Sequence, residues 1–428
     1  MGRYKQINLS KGAKLYYVKN KISKSTMVRI SFDCGSRCDT IPGLAHFTEH
    51  MFFAGTKSMS RDEINKKYFD FIGSNAATTS GDIYFDANLF TKEFEEYVKT
   101  VATMITESTF KQKEIDKECG IIQQEIARSK DQFGRMAHRN NKLNITGMSY
   151  YEDFGNLGTQ ESVAKIKTKD IKNYVKKYFV SNNCHVYVAS QLSASKVKSI
   201  IEKHLISKLI FDSKFEALPY YVDYIKNAQF KKHKFKDINK TYIFVNFKHN
   251  HTISDFPFRA KATLVCDMIN EFSTGIMKLM REEKSLVYGG GFGNYIMNDK
   301  ESLTTFSTEC DSKNVNAVIE TLKEYINNIE QNGFSKSQLK QAKRMHKYNL
   351  DTSEPRVGRL MYKLSDFERY GRILKNDISK FTKKVTLEEC NEMFKEMFLT
   401  KDVSLTVFGD IKKEDLISDK KFDELFIK

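Results

Sequence analysis

His46-Phe47-Thr48-Glu49-His50 sets two imidazoles and a carboxylate at a spacing that a helix turns into a site. At about 3.6 residues per turn, His46, Glu49, His50 and Phe53 share one side, while Leu44, Phe47, Met51 and Ala54 lie roughly 120° away. The polar face and the core face are therefore separate. Histidines four residues apart can hold one Zn2+, and a glutamate one turn from His46 can act on a metal-bound water. Pro42 suits the first turn and Gly55 the end, so a helix over residues 42–54 is expected.

Catalytic zinc takes three protein ligands and leaves a fourth position for water. A second helix, expected over Gln112–Arg128, carries Glu118 and Glu125 seven residues apart and nearly superimposed in projection, flanked by Ile115, Ile121, Ile122 and Ile126. Carboxylates within an apolar stripe are costly to bury without partners. A metal for Glu125 and an imidazole N–H for Glu118 would provide them; solvation at the helix rim is the alternative.

The elements that must position these helices follow from periodicity. Strands are expected at Leu15–Val18, Met27–Phe32, Asn75–Ser80, Asp82–Phe90 and Cys184–Ala189, and further helices over residues 61–72, 92–107, 168–179 and 193–205. Much of that order returns later in the chain: Tyr242–Phe247 matches the Met27 strand, Glu301–Ile326 repeats residues 82–105, Phe334–Asn349 repeats 110–125, and Phe398–Asp410 repeats 179–190. The offset is roughly half the chain, which predicts an α+β fold of two homologous αβ domains from an internal duplication, each a mostly antiparallel sheet packed with helices. The boundaries are a first domain at 1–212, a linker at 213–227 and a second domain at 228–428. Only the first copy carries the metal-capable residues. The matching region Phe258–Met268 has no histidine, and Ala342 and Asn349 stand at the places of Glu118 and Glu125.

Length and composition agree with two soluble cores: 428 residues, 40% hydrophobic and 29% charged. No run approaches the roughly 18 apolar residues of a membrane span. The N-terminus lacks an apolar signal segment, and Gln6 stands where a myristoylation signal needs Ser or Thr; a cytoplasmic location and no membrane partner are expected. Seven scattered cysteines, an odd number, suit a reducing compartment, and Cys34 and Cys38 read as structural thiols. The net charge of +16 is spread along the chain. Its densest patch, Lys226–Lys240, reads as a solvated face or a basic wall for acidic peptides, and no nucleic-acid motif accompanies it. Gly289-Gly-Gly-Phe-Gly293 lacks the Gly-Lys-Ser/Thr ending of a phosphate loop and reads as a strand entry. His138, His185, His204, His233, His249, His251 and His346 lack ligand spacing.

The inverted motif His-x-x-Glu-His, followed 75 residues after His50 by Glu125 in Asp116-Lys-Glu-Cys-Gly-Ile-Ile-Gln-Gln-Glu125, resembles the insulinase/pitrilysin family of zinc metallopeptidases. The resemblance extends through Gly43–Thr56, Ser74–Gly81 and Arg281-Glu-Glu-Lys-Ser-Leu-Val-Tyr288, over essentially the whole chain. It implies a zinc endopeptidase with one Zn2+ per chain held by His46, His50 and Glu125, Glu49 as general base, and Glu118 supporting a ligand histidine. It also implies that Asn75 and Ala76 lie on an edge strand that pairs with an extended peptide. Arg281 and Tyr288 would reach that peptide, with the Tyr288 hydroxyl near the developing oxyanion. Long family members close four such domains around a peptide like a clam; this chain supplies two, half a chamber. A homodimer is expected, with a heterodimer with an inactive paralogue as the alternative. Within the enzyme class, peptide clearance and leader processing both remain open, and a catalytically silent structural subunit is the non-enzymatic reading.

Overall fold

The computed structural model describes residues 4–21, 24–146, 155–216, 230–233, 239–251, 255–296, 301–352, 364, 368, 374–411 and 416–427. The chain forms two compact units: the first from Met1–Ser129, Glu152–Pro219 and Ser353–Leu374, the second from Lys130–Tyr151, Tyr220–Thr352 and Lys375–Lys428.

In the first unit, β1 (Lys5–Asn8), β2 (Lys14–Lys19) and β3 (Ser25–Phe32) precede helices α1 (Leu44–Met51) and α2 (Arg61–Phe69). Then β4 (Asn75–Thr78) and β5 (Ile83–Phe90) lead into α3 (Phe94–Glu107) and α4 (Gln112–Lys130). Helix α5 (Phe133–Thr146) belongs to the second unit; α6 (Gln160–Val163), α7 (Thr168–Tyr178), β6 (Cys184–Ser190) and α8 (Ala194–Ile201) return to the first. The strands form one sheet in the order β1-β2-β6-β3-β5-β4, antiparallel except where β2 meets β6. Alternation aims β3 and β5 inward: Val28, Ile30, Phe32, Ile83 and Phe85 are completely buried. Against them pack Phe47 and Met51 of α1 and Phe94, Tyr97, Val98 and Val101 of α3, equally buried. Each such side chain contributes about 1.5–3 kcal/mol, and together they fix the metal-capable helix to the sheet.

The second unit contains β7 (Phe230–His233), β8 (Lys240–His249), α9 (Phe256–Ile269), β9 (Val287–Ile296) and β10 (Ser302–Asp311). It continues with α10 (Val315–Asn332), α11 (Lys336–Thr352), α12 (Leu374–Thr382), α13 (Leu387–Phe398), β11 (Val403–Gly409) and α14 (Asp419–Phe426). Its sheet order is β7-β11-β8-β10-β9, with β7 and β11 parallel. That is the first sheet's β2-β6-β3-β5-β4 strand for strand, including the one parallel pair. The duplication read from sequence spacing is thus written in the hydrogen-bonded ladders as well.

Several expectations shift in detail. The helix expected from residue 42 starts at Leu44, because Gly43 takes φ +91° and Asp39 accepts from the N–H groups of Gly43 (2.9 Å) and Ala45 (2.8 Å). A Cβ on Gly43 would stand 2.6 Å from the Leu157 carbonyl oxygen, so only glycine fits. Pro42 lies outside the helix. Ile121, counted in the apolar flank of α4, is 40% exposed, whereas its neighbour Ile122, about 100° round the helix, is buried. Gly289–Gly293 lies inside β9, paired with β10, and does not merely lead into it. The expected repeat of 179–190 at Phe398–Asp410 holds: α13 closes at Phe398 and β11 begins at Val403, as α7 closes at Tyr178 and β6 begins at Cys184. Residues 217–227 of the expected linker and most of the lysine-rich patch at 226–240 lie outside the described residues. Among the described residues no helix is long and apolar enough to cross a membrane.

Candidate metal centre

Helices α1 and α4 bring His46, His50 and Glu125 together, with one donor atom from each lying within 4.8 Å of the others. His46 Nε2 stands 3.7 Å and His50 Nε2 3.8 Å from Glu125 Oε2, and the imidazole centres are 4.6 Å apart. Tetrahedral zinc with ligands at about 2.0–2.2 Å separates its donors by roughly 3.3–3.6 Å, so each imidazole nitrogen needs to approach the carboxylate by only a few tenths of an ångström. No other group of this kind occurs among the described residues. The donor set, two imidazoles and a carboxylate, is one that zinc accepts with a position left over.

Burial, and secondarily the neighbouring His50, push the His46 pKa down to about 3, which keeps that ring neutral and able to donate a lone pair. His50 behaves differently. Burial lowers it, but the hydrogen bond from its Nδ1 to Glu118 Oε2 (2.9 Å) and nearby carboxylates outweigh burial and raise it. With the proton held on Nδ1, Nε2 is the nitrogen turned toward Glu125. The stacking of Glu118 and Glu125 on α4 thus resolves into two environments: the Glu118 side chain is 4% exposed and that of Glu125 48%. Glu118 has its partners in protein, and Glu125 stands at an open rim.

Glu49 is buried beside these groups, and burial raises its pKa against the opposing pull of His50 and a hydrogen bond from Thr78. That bond runs from Thr78 Oγ1 to Glu49 Oε2 at 2.9 Å. Asn75 and Ala76 lie on β4, which ends the sheet; Asn75 is exposed and its carbonyl accepts from Tyr68 Oη at 2.8 Å. In the second unit Arg281 and Tyr288 meet each other. The guanidinium carbon lies 4.8 Å from the Tyr288 ring centre and 5.2 Å from that of Phe272, and Tyr288, on the edge strand β9, is 85% exposed.

Thr78 and Arg61 were not singled out by sequence. Arg61 opens α2 and grips both Glu114 (Nε to Oε2, 2.8 Å) and Glu118. Strand alternation puts Thr78 on the same face as Ala76, a signal that was there to be used. Nothing local ties Arg61 to carboxylates some fifty residues further on. Other histidines find ordinary partners: His138 lies against Tyr242 and Phe244, His185 meets Glu368, His204 meets Glu95 at 2.8 Å, His249 meets Thr304 at 2.9 Å, and His251 meets Asp255 at 2.8 Å. All seven cysteines are free, and all but Cys119 are buried.

Residues 15–150 match the family description "Insulinase (Peptidase family M16)", and residues 165–345 match "Peptidase M16 inactive domain". The second description begins within the first unit, runs into the second, and covers none of His46, His50 and Glu125. The chain is 23% identical over 421 residues to an uncharacterised zinc protease of Bacillus subtilis, covering 95% of this chain and 98% of that protein. It is 26% identical over 189 residues to the beta subunit of the human mitochondrial-processing peptidase, covering 41% of this chain and 37% of that one. Among solved structures, a peptidase M16 inactive domain from Pseudomonas fluorescens superposes with a TM-score of 0.80 at 17% identity, covering 95% of this chain and 98% of that one. The periplasmic protease PqqL from Escherichia coli gives 0.81 at 16%, with 99% of this chain matching 49% of that one. At these identities the structural likeness speaks for the fold, and the family descriptions and zinc-protease relatives speak for the chemistry. The chain belongs to the insulinase family, peptidase family M16, as a metalloprotease of the short, two-domain form.

Proposed function

We propose that this chain is a zinc-dependent endopeptidase that hydrolyses short or unfolded peptides inside an enclosed chamber. The observation that carries the reading is the convergence of His46, His50 and Glu125 within 4.8 Å, with Glu49 buried alongside. Those three donors would hold one Zn2+ per chain, which would supply Lewis acidity to a water and to the scissile carbonyl. Glu49 takes the proton of the attacking water and delivers it to the leaving amine. Glu118 holds His50 in the tautomer that presents Nε2. The exposed edge of β4 at Asn75 and Ala76 receives the substrate as an added strand, which selects extended chains and excludes folded ones. Half-buried Arg281 and exposed Tyr288 of the second unit hold the bound peptide, and the Tyr288 hydroxyl stabilises the developing oxyanion.

The chamber is completed by a second copy of the chain. Support comes from the solved PqqL chain, about twice as long, half of which superposes on this one. In the homodimer, Arg281 and Tyr288 of one protomer serve the zinc of its partner.

Zinc content by elemental analysis, run beside cleavage of a mixed peptide library, tests the reading. About one zinc per chain and chelator-sensitive cleavage of peptides but not of folded proteins are expected. Glu125→Gln should lose zinc and activity together, and Glu49→Gln should keep zinc and lose activity. Mixing Glu49→Gln with Tyr288→Phe protein should restore part of the activity if the site is shared. A zinc-free wild type that cleaves nothing refutes the enzyme reading.

A further inference from the structure

The last residue of the edge strand does something the family resemblance left unassigned. Thr78 closes β4, opposite Ile83 of β5, and its side chain points away from solvent toward α1. Only 9% exposed, it donates from Oγ1 to Glu49 Oε2 at 2.9 Å, and Glu49 is itself 8% exposed. A threonine hydroxyl has one proton to give, and here it goes to a carboxylate that burial has stripped of water. Among the described residues this is the one hydrogen bond that Glu49 receives from a side chain. It therefore divides the carboxylate: Oε2 is anchored and Oε1 is left for the reacting proton.

The anchor is itself held on three sides. Asn156 Nδ2 donates to the Thr78 carbonyl, and Asn156 Oδ1 accepts from Ser36 Oγ at 2.7 Å. Ser36 N donates to the carbonyl of Thr79 at 3.0 Å, and Thr79 N donates to that of Asp82 at 2.8 Å. Thr78 thus sits at a fixed point where the strand ends. The strand that offers Asn75 and Ala76 at the sheet edge also offers Thr78 to the buried carboxylate.

We propose that Thr78 is a positioning residue for the general base, fixing the Glu49 carboxylate in the rotamer that aims Oε1 at the attacking water. This rests on the peptidase reading above. Thr78 touches neither substrate nor metal donors; it acts through Glu49. A hydrogen bond to a buried charged group governs roughly a 10–100-fold change when its donor is removed. The effect falls on the chemical step, because the peptide's contacts along β4 are backbone contacts that the Thr78 side chain does not make.

The experiment measures kcat, KM and zinc affinity for wild type, Thr78→Val and Thr78→Ser, with thermal unfolding as a check on folding. Valine keeps the shape and removes the donor; serine keeps the donor and removes a methyl group. Expected are a fall of about 10–100-fold in kcat for Thr78→Val at a KM within about threefold of wild type, and recovery to within about threefold in Thr78→Ser. Zinc affinity, read by competition with a chromophoric chelator, should be the same in all three proteins. If Thr78 merely packs, valine is the silent change and serine the damaging one, and that ordering overturns the proposal. So does a Thr78→Val protein that binds zinc more weakly, since the residue would then act through the metal donors. Hydrolysis absent from wild type overturns the peptidase reading and this proposal with it, whereas hydrolysis indifferent to Thr78→Val overturns this proposal alone.

Discussion

Glu118→Gln is the most informative change at the metal centre, because the amide cannot satisfy both neighbours of the carboxylate. Glu118 Oε2 accepts from His50 Nδ1 at 2.9 Å, while Oε1 meets the Arg61 guanidinium. With the amide oxygen toward His50, its NH2 group faces the donors of Arg61. Turned round, the NH2 faces Nδ1 and drives the proton of His50 to Nε2, removing the lone pair that should reach the metal. Either arrangement sacrifices one charge-assisted bond at a side chain only 4% exposed. Loss of such an orienting partner costs about 10–100-fold in metal affinity, or about 1.4–2.7 kcal/mol. Arg61 keeps Glu114 at 2.6 Å, so the fold should survive with a loss of about 1–3 kcal/mol. Zinc affinity by chelator competition should fall 10–100-fold in Glu118→Gln and stay near wild type in Glu114→Gln, which breaks the outer arm of the same ion pair. A Glu118→Gln protein that is less stable yet binds zinc as tightly as wild type would refute the reasoning and leave Glu118 as a structural ion-pair partner.

Two further outcomes are expected away from the metal donors. Asp39→Ala removes the carboxyl oxygens that accept from the first N–H groups of α1, which should cost about 0.5–2 kcal/mol in denaturant unfolding; an unchanged midpoint counts against that capping role. His185 is pushed down by burial, but the contact of its Nδ1 with the accepting Glu368 Oε1 (2.5 Å) and the charges of Glu368 and Asp33 outweigh it and raise its pKa. A raised histidine contributes stability that is fully present below its unfolded value of about 6.5 and is lost as pH rises through the folded value. Glu368 is raised by burial but lowered on balance by His185 and Tyr187, so its share disappears only in acid, as pH falls through its depressed folded value. Wild type should therefore lose stability as pH rises above about 6.5 and through the raised folded value by an amount that His185→Gln does not, and parallel profiles for the two proteins would contradict the sign.

What could be read from sequence was whatever repeats on the scale of a helix turn or a strand pleat. His46, Glu49 and His50 fall on one side of α1, and Phe47 and Met51 on the buried side, as a period of about 3.6 demands. The duplication was legible because strand and helix patterns recur at a near-constant offset, and the matching strand orders bear it out. What escaped depends on chain segments far apart in sequence. Arg61 finds Glu114 and Glu118 only after α2 and α4 have packed on the same unit. The start of α1 was misplaced because Pro42 is the stronger local signal, while Asp39 caps from outside the pattern. Helix α5 went unread: its buried face is polar, with Asn141 meeting Asn246 of β8 (2.9 Å) and Asn144 meeting Thr406 of β11 (2.7 Å). An amphipathicity argument does not look for amides at a buried helix face.

That helix has a consequence for how the molecule can be taken apart. The compact unit built on the second sheet claims α5 from the first half of the chain, and the unit built on the first sheet claims Leu364 and Glu368 from the second half. Leu364 is fully buried against Tyr16, Val18, Tyr187 and Ala189, and Glu368 receives the Tyr187 hydroxyl. A cut between residues 213 and 227 would leave one fragment bearing an amide-lined helix with nothing to bind and a sheet stripped of its cover, and the other fragment with the reverse defects. Such fragments are expected to be poorly soluble alone and to recover structure when co-expressed. The repeat has lost its modularity: with each unit built partly from the other half of the chain, recombination or deletion at the midpoint would no longer yield a self-sufficient half.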